Sequence, residues 1–191
     1  MSTIATTERS HREGRLRVGA HRWVSIRPIE VSDAGDLSAF YASLSPASRH
    51  RRFLGATSGI TDEQAARFSS VDHVTADGLV AILAEAGRDD GRIVGHVCIE
   101  PDPDGTSEVA VAVADELQGQ GIGRELMRRA VDSARRRGVR ALTASLFTDS
   151  IGMRRLLAGA GLPVVPRGTR AGVVEVELPL GTPATIPNRK E

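Results

Sequence analysis

The segment EVAVAVADELQGQGIGRELM, residues 108–127, constrains the fold more than any other part of the chain. EVAVAVA alternates like a strand. It runs into a glycine-rich loop, and the loop opens a long amphipathic helix in which Ile122, Leu126, Ala130 and Ala134 recur every four residues. Gly119, Gly121 and Gly123 allow a ligand close to the backbone. The unpaired N–H groups of the first helical turn, with the helix dipole, attract an anion. No Asp or Glu interrupts Gln118 to Arg124, and Arg124 adds a positive charge. The local chemistry of Gln118, Gly119, Gln120, Gly121, Ile122, Gly123 and Arg124 is therefore phosphate or pyrophosphate binding.

Two nucleotide motifs fail here. A P-loop needs Gly-Lys-Ser/Thr, and the loop has no lysine. A dinucleotide fingerprint needs Gly-x-Gly-x-x-Gly after the first strand of a parallel sheet, but Arg124 and Glu125 follow Gly123, and the strand comes late in the chain.

The flanking text predicts the rest. WVSIRPI reads as a first strand, followed by a helix capped by Ser32 or Asp33 and running to about Leu44. Ser45 caps a second helix with Pro46 at its first position, carrying RHRRFL to near Gly55. Thr61 caps a third. LVAILAEA, IVGHVCIE and EVAVAVA form an antiparallel meander, with turns at GRDDGR and PDPDGT. After the long helix, which ends at Gly138, come the strand RALTASLF, the helix IGMRRLLAGAG, and short strands at PVV and GVVEVELPL. The expectation is an α/β domain over residues 21–180, with a disordered tail at 1–20 and a loose one at 181–191.

Gln118 to Gly123 also match the pattern Gln/Arg-x-x-Gly-x-Gly/Ala, and at this point the chain resembles the GNAT N-acetyltransferases. The resemblance spans about Val24 to Leu178. It implies a central mixed, mostly antiparallel twisted sheet of six to seven strands flanked by helices. It implies acetyl-CoA as cosubstrate, with its pyrophosphate on this loop and its pantetheine arm along Val111, Ala112 and Val113. A narrower likeness, in LSPASRHRRF and VDHVTADGLVAILAE, is to the GNAT domain of bacterial Pat-type protein-lysine acetyltransferases.

Acetylating an amine requires a base, because at pH 7 only about one lysine-type amine in a few thousand is neutral. Glu108 is the candidate. It lies five residues before Val113, roughly 17 Å of strand, and shares a face with Ala110, Ala112 and Ala114, whose small side chains leave room for a ligand. A solvated glutamate beside a turn explains it nearly as well. Glu100, His96 and Cys98 share one face of the neighbouring strand, where a solvent-facing glutamate and a satisfied histidine are expected; His73 is expected to pack its loop. By resemblance, a backbone N–H near Val111 serves the oxyanion. Ser150 stands where the family carries an asparagine, and either bonds coenzyme A or caps the last helix. Leu157 replaces the tyrosine that often protonates the leaving thiolate, and Leu162 a phenylalanine. Arg154 and Arg155 are candidates for coenzyme phosphates. Arg49, Arg51 and Arg52 border the acceptor groove by resemblance; they suit either an acidic protein surface or plain solvent.

Net charge is +1, which argues against a dedicated nucleic-acid binder. Cys98 is the only cysteine, and the five histidines show no metal-ligand spacing. No apolar run reaches membrane-spanning length, and the first 21 residues lack the apolar stretch of a signal peptide, so the cytoplasm is the expected address. The expected acceptor is a protein lysine. A small amine is the alternative, and a non-catalytic acyl-CoA sensor, suggested by the missing tyrosine and asparagine, is a third. The resemblance also allows a homodimer, with GVVEVELPL as a pairing element.

Overall fold

The computed structural model describes residues 15–19, 22–84 and 91–181. Eight strands form one sheet in the order β1-β2-β3-β4-β5-β6-β8-β7. They are β1 (Arg15–Val18), β2 (Arg22–Pro28), β3 (Asp77–Ala84), β4 (Arg92–Pro101), β5 (Ser107–Val113), β6 (Ala141–Phe147), β7 (Val165–Arg170) and β8 (Val173–Pro179). Every pairing is antiparallel except that of β5 with β6. The helices are α1 (Ala34–Ser43), α2 (Pro46–Phe53), α3 (Asp62–Ser69), α4 (Ile122–Arg136) and α5 (Ile151–Ala158).

The sheet separates two helical layers. A Cβ on Gly95 of β4 would meet Leu126 of α4 at 3.0 Å. The next residue, His96, points the other way, to Tyr41 of α1 and Phe68 of α3. From Gly95 onward, past the bulge at Val94, the period-two alternation of a strand thus assigns odd-numbered positions of β4 to the α4 side and even-numbered ones to the α1–α3 side. The core fills both layers, with Leu37, Tyr41, Ile99, Leu126, Met127 and Leu142 among its fully buried side chains.

Local chemistry sets the helix ends. Ser45 stands before Pro46, which keeps it extended, so only Leu44 and Ser45 separate the end of α1 from the start of α2. The Ser45 hydroxyl accepts from the Ser48 N–H at 3.2 Å. Thr61 and Gln64 form a reciprocal capping box on α3. Asp33 precedes α1 but does not cap it through its side chain. Its carboxylate instead takes both Arg27 terminal nitrogens at 2.7 Å and the Glu30 N–H at 2.8 Å.

Other expectations need correcting. The sheet has eight strands, not six or seven. Residues 15–18, assigned above to a disordered tail, form β1 on β2, with Val18 buried. The penultimate strand is Val165–Arg170 rather than PVV. GVVEVELPL contains β8, which is paired on both edges, by β6 and by β7, and so offers no free edge for a partner strand. The edge strands among the described residues are β1 and exposed β7, where Pro166, Arg167 and Arg170 oppose further pairing. Most of the GRDDGR turn, and the tails at 1–14 and 182–191, lie outside the described residues. No helix among the described residues is long and apolar enough to cross a membrane.

Candidate active site

β5 and β6 are held together at one end only. Ser107 pairs with Leu142 and Glu108 with Thr143, and there the pairing stops. Beyond it, Val109–Val113 and Ala144–Phe147 diverge. The Ala114 N–H bonds the Val94 carbonyl at 2.9 Å. Alternation along the strand therefore turns the backbone of Glu108, Ala110 and Ala112 to β4, and that of Val109, Val111 and Val113 to the gap. Of the three residues expected along the pantetheine, Val111 and Val113 face the gap with their backbone. Ala112 faces β4.

The gap leads into the glycine loop. Gly119 and Gly121 have φ of 76° and 89°, a region L-residues avoid. The first α4 bond runs from Glu125 N–H to Gly121 carbonyl at 3.0 Å. The N–H groups of Ile122, Gly123 and Arg124 therefore lack helical acceptors, at the positive end of a fifteen-residue helix. Gly123 lies against Val113 and Leu156, at 3.5 and 3.8 Å from a would-be Cβ. Arg124 is exposed. Gln118 donates to the Val113 carbonyl at 3.1 Å and the Ser48 hydroxyl at 3.3 Å; Gln120 donates to the Glu116 carbonyl at 3.2 Å. Both glutamine side chains brace the loop. Orphan donors, a glycine cradle and an unpaired strand edge together suit a pyrophosphate on a long amide-bearing arm.

On the α1–α3 side of β5 lies a pocket of 240 Å³, lined by Arg52 and Phe53 of α2, Gln64, Arg67 and Phe68 of α3, Cys98 and Glu100 of β4, and Glu108 and Ala110 of β5. Of the four residues expected on one open face, Glu108 and Ala110 meet a cavity together, opposite Glu100 and Cys98 in register, while Ala112 and Ala114 are buried and do not line it. Glu108 sits where the β5–β6 pairing ends. Burial raises its pKa above the usual carboxylate value, against the lowering pull of the Arg52 charge. A raised pKa makes a carboxylate a better proton acceptor.

The other candidates separate by role. Glu100 lines the pocket but is paired with Arg67 at 2.8 Å. His96 lies below the pocket, fully buried, with Nδ1 2.9 Å from the Tyr41 hydroxyl and Nε2 without a partner, so it is only half satisfied. Burial pushes its pKa down to about 3, so it is neutral. Tyr41, the only tyrosine, is pushed up to about 12 by burial and does not line the pocket. Burial also raises the Cys98 thiol, which removes it as a nucleophile. His73 ties its loop down, Nδ1 to Asp77 at 2.7 Å and Nε2 to the Ile29 carbonyl at 3.0 Å. Ser150 is buried at the start of α5 without a side-chain cap bond. Arg154 donates to the Thr148 carbonyl at 2.6 Å. Leu157 is buried, so α5 places no hydroxyl there.

Sequence reasoning missed how α2 is seated. Asp115, just after β5, accepts from the Ser45 N–H and hydroxyl at 2.8 Å each and from the Ser48 hydroxyl at 2.6 Å. His50 stacks on Phe147 at the end of β6, with ring centroids 4.7 Å apart and planes at 11°. α2 therefore reaches from the glycine loop to the end of β6. The serines of LSPASRHRRF were the available signal. Among the described residues, no cluster of His, Cys, Asp and Glu could hold a metal ion.

Comparison with known proteins agrees with this geometry. Residues 49–161 match the model of the acetyltransferase (GNAT) family. Acetyltransferase PA5475 of Pseudomonas aeruginosa is 33% identical over 162 residues, covering 84% of each chain. Acetyltransferase Pat of Mycolicibacterium smegmatis is 28% identical over 86% of this chain, which spans only 48% of that longer protein. Among solved structures, the GNAT domain of S. lividans PAT superposes with a TM-score of 0.72 at 28% identity, covering 82% of this chain and 90% of that one. YncA of Salmonella typhimurium, solved with its cofactor acetyl-CoA, has a TM-score of 0.64 at 24% identity, covering 85% and 98%, and shares the fold. With the family model matched across more than half its length, this chain belongs to the acetyltransferase (GNAT) family.

Proposed function

We propose that this chain transfers an acetyl group from acetyl-CoA to an amine, with a protein lysine as acceptor. The observation that carries the reading is the gap between β5 and β6, which joins the anion-binding loop at one end to Glu108 at the other. Acetyl-CoA supplies an activated thioester. The Ile122, Gly123 and Arg124 N–H groups and the Arg124 side chain hold its pyrophosphate, and the backbones of Val111 and Val113 hold its pantetheine amides. Ser150, buried at the start of α5, borders the coenzyme.

Glu108 accepts a proton from the incoming ammonium, directly or through one water, so that the neutral amine can attack the thioester carbonyl. The Val111 N–H faces the gap and donates to the oxygen as it gains negative charge. When the tetrahedral centre collapses, the carbon–sulfur bond breaks and coenzyme A leaves as thiolate. A thiol pKa near 8.5 lets it leave without an acid from α5, consistent with a leucine at position 157.

The resemblance of LSPASRHRRF to Pat-type protein-lysine acetyltransferases supports a protein acceptor. A second reading, a small amine, is favoured by the charged 240 Å³ pocket. The two separate when the protein is incubated with acetyl-CoA and either a cell lysate or a panel of small amines. Acetyl-lysine on lysate proteins, read by mass spectrometry, supports the first. Coenzyme A release with small amines alone rejects it.

A further inference from the structure

The pocket beside Glu108 holds a cation that forms no ion pair among the described residues. Arg52 enters it through a cage of rings, with its guanidinium carbon 4.9 Å from the Phe53 centroid, 5.8 Å from Tyr41 and 5.9 Å from Phe68. One terminal nitrogen lies 3.1 Å from the Cys98 sulfur, a weak acceptor, and the guanidinium also meets the Tyr41 hydroxyl, which is neutral. Nε is buried with no partner. The nearby carboxylates are committed or apart: Glu100 pairs with Arg67, Asp33 pairs with Arg27, and Glu108 shares the pocket without forming an ion pair with Arg52. Its helix neighbour Arg49 is different, since it is spent on the carbonyls of Ala42, Leu44 and Thr57.

Burying a charge is costly unless it is paired, and ring faces offset only part of that. The planar guanidinium fork is suited to a carboxylate. Because Arg52 and Glu108 form no direct ion pair, the pocket presents one cation and one anion to whatever enters it.

We infer that Arg52 receives a carboxylate carried by the acceptor, so that the preferred amine has an acidic group beside it. Glu108 takes the ammonium end and Arg52 the carboxylate end. The inference rests on the acetyl-transfer reading and adds the acceptor's chemistry to it. The carboxylate has two sources: an acidic side chain flanking a protein lysine, or the α-carboxylate of a free amino acid.

The test is steady-state coenzyme A release at saturating acetyl-CoA, with four acceptors. They are a lysine peptide with flanking glutamates, the same peptide with flanking glutamines, leucine, and leucinamide. The wild type is expected to favour the charged member of at least one pair by about 10- to 100-fold in kcat/KM, the range of a charge-assisted hydrogen bond. A preference within the peptides assigns the carboxylate to a protein; one within the leucine pair assigns it to a free amino acid. Arg52→Gln is expected to bring the preferred ratio close to one. Equal rates for charged and neutral members in the wild type, with measurable transfer, overturn the inference and leave acetyl transfer standing. No release with any acceptor, nor with a lysate, removes the underlying reading and the inference with it. Faster succinyl than acetyl transfer by the wild type, lost in Arg52→Gln, would place the carboxylate on the donor and overturn the assignment.

Discussion

Asp115 and Ser45, 70 residues apart in sequence, are joined by two hydrogen bonds of 2.8 Å, from the Ser45 N–H and from its hydroxyl to the two carboxylate oxygens. Ser48 adds a third, at 2.6 Å. One carboxylate thus satisfies donors at the start of α2 while belonging to the loop that opens α4. Partial burial raises the Asp115 pKa, but these bonds outweigh it and hold the carboxyl below its usual value. The α2 wall of the pocket and the glycine loop are fastened to each other at this point.

Asp115→Ala should therefore act on both. Loss of these capping bonds should cost about 1 kcal/mol of stability, measured by chemical denaturation. Acetyl-CoA affinity should fall as well, because the loop loses its brace. An affinity equal to wild type would show that α2 and the loop are independent.

Glu108→Gln keeps the size of the side chain and removes the proposed base. It should lower kcat by about 10²–10⁴-fold while leaving acetyl-CoA affinity unchanged. Because burial raises the Glu108 pKa, the acid limb of the wild-type kcat/KM profile should lie above the ordinary carboxylate range, with activity lost as pH falls through it. That limb should be missing from the residual activity of the variant. An unchanged kcat would reject Glu108 as the base.

His96 makes stability depend on pH. Burial holds it neutral in the folded protein, with pKa down to about 3 against 6.5 when exposed. As pH falls below 6.5 the unfolded chain takes up this proton first, so stability is complete above that pH and is lost toward pH 3. At pH 5 the loss should be about 2 kcal/mol. Replacing the hydrogen-bonded pair together, in a His96→Leu, Tyr41→Phe double variant, should flatten this part of the curve without orphaning either polar group. An acid limb equally steep in the variant would contradict the account.

The face of β5 was legible because strand alternation needs no tertiary information: Glu108 and Ala110 share a cavity as their spacing implies. The glycine loop was legible because Gly119 and Gly121 mark positive φ. The splaying of β5 from β6 has no such local mark, since it depends on which strand becomes the parallel neighbour. Arg52 was legible only as one of three arginines. Helical spacing puts Arg49 and Arg52 on neighbouring faces, but only packing against Tyr41 and Phe68 decides which enters the pocket. β1 and β7 were missed for one reason: RLRV and VPRGTR lie at the sheet's edges, where one-sided burial leaves little apolar pattern to read.

The central claim is that the loop after β5 binds the pyrophosphate of acetyl-CoA. Calorimetric titration of acetyl-CoA into the wild type and Gly121→Asp, with thermal unfolding of both as a folding control, tests it most directly. Gly121 has φ of 89° at the start of α4, so aspartate there would add strain and place a negative charge where the phosphates should sit. Saturable one-to-one binding by the wild type, abolished in a variant that still unfolds cooperatively, is the predicted result. No binding by the wild type, or undiminished binding by the folded variant, would contradict it.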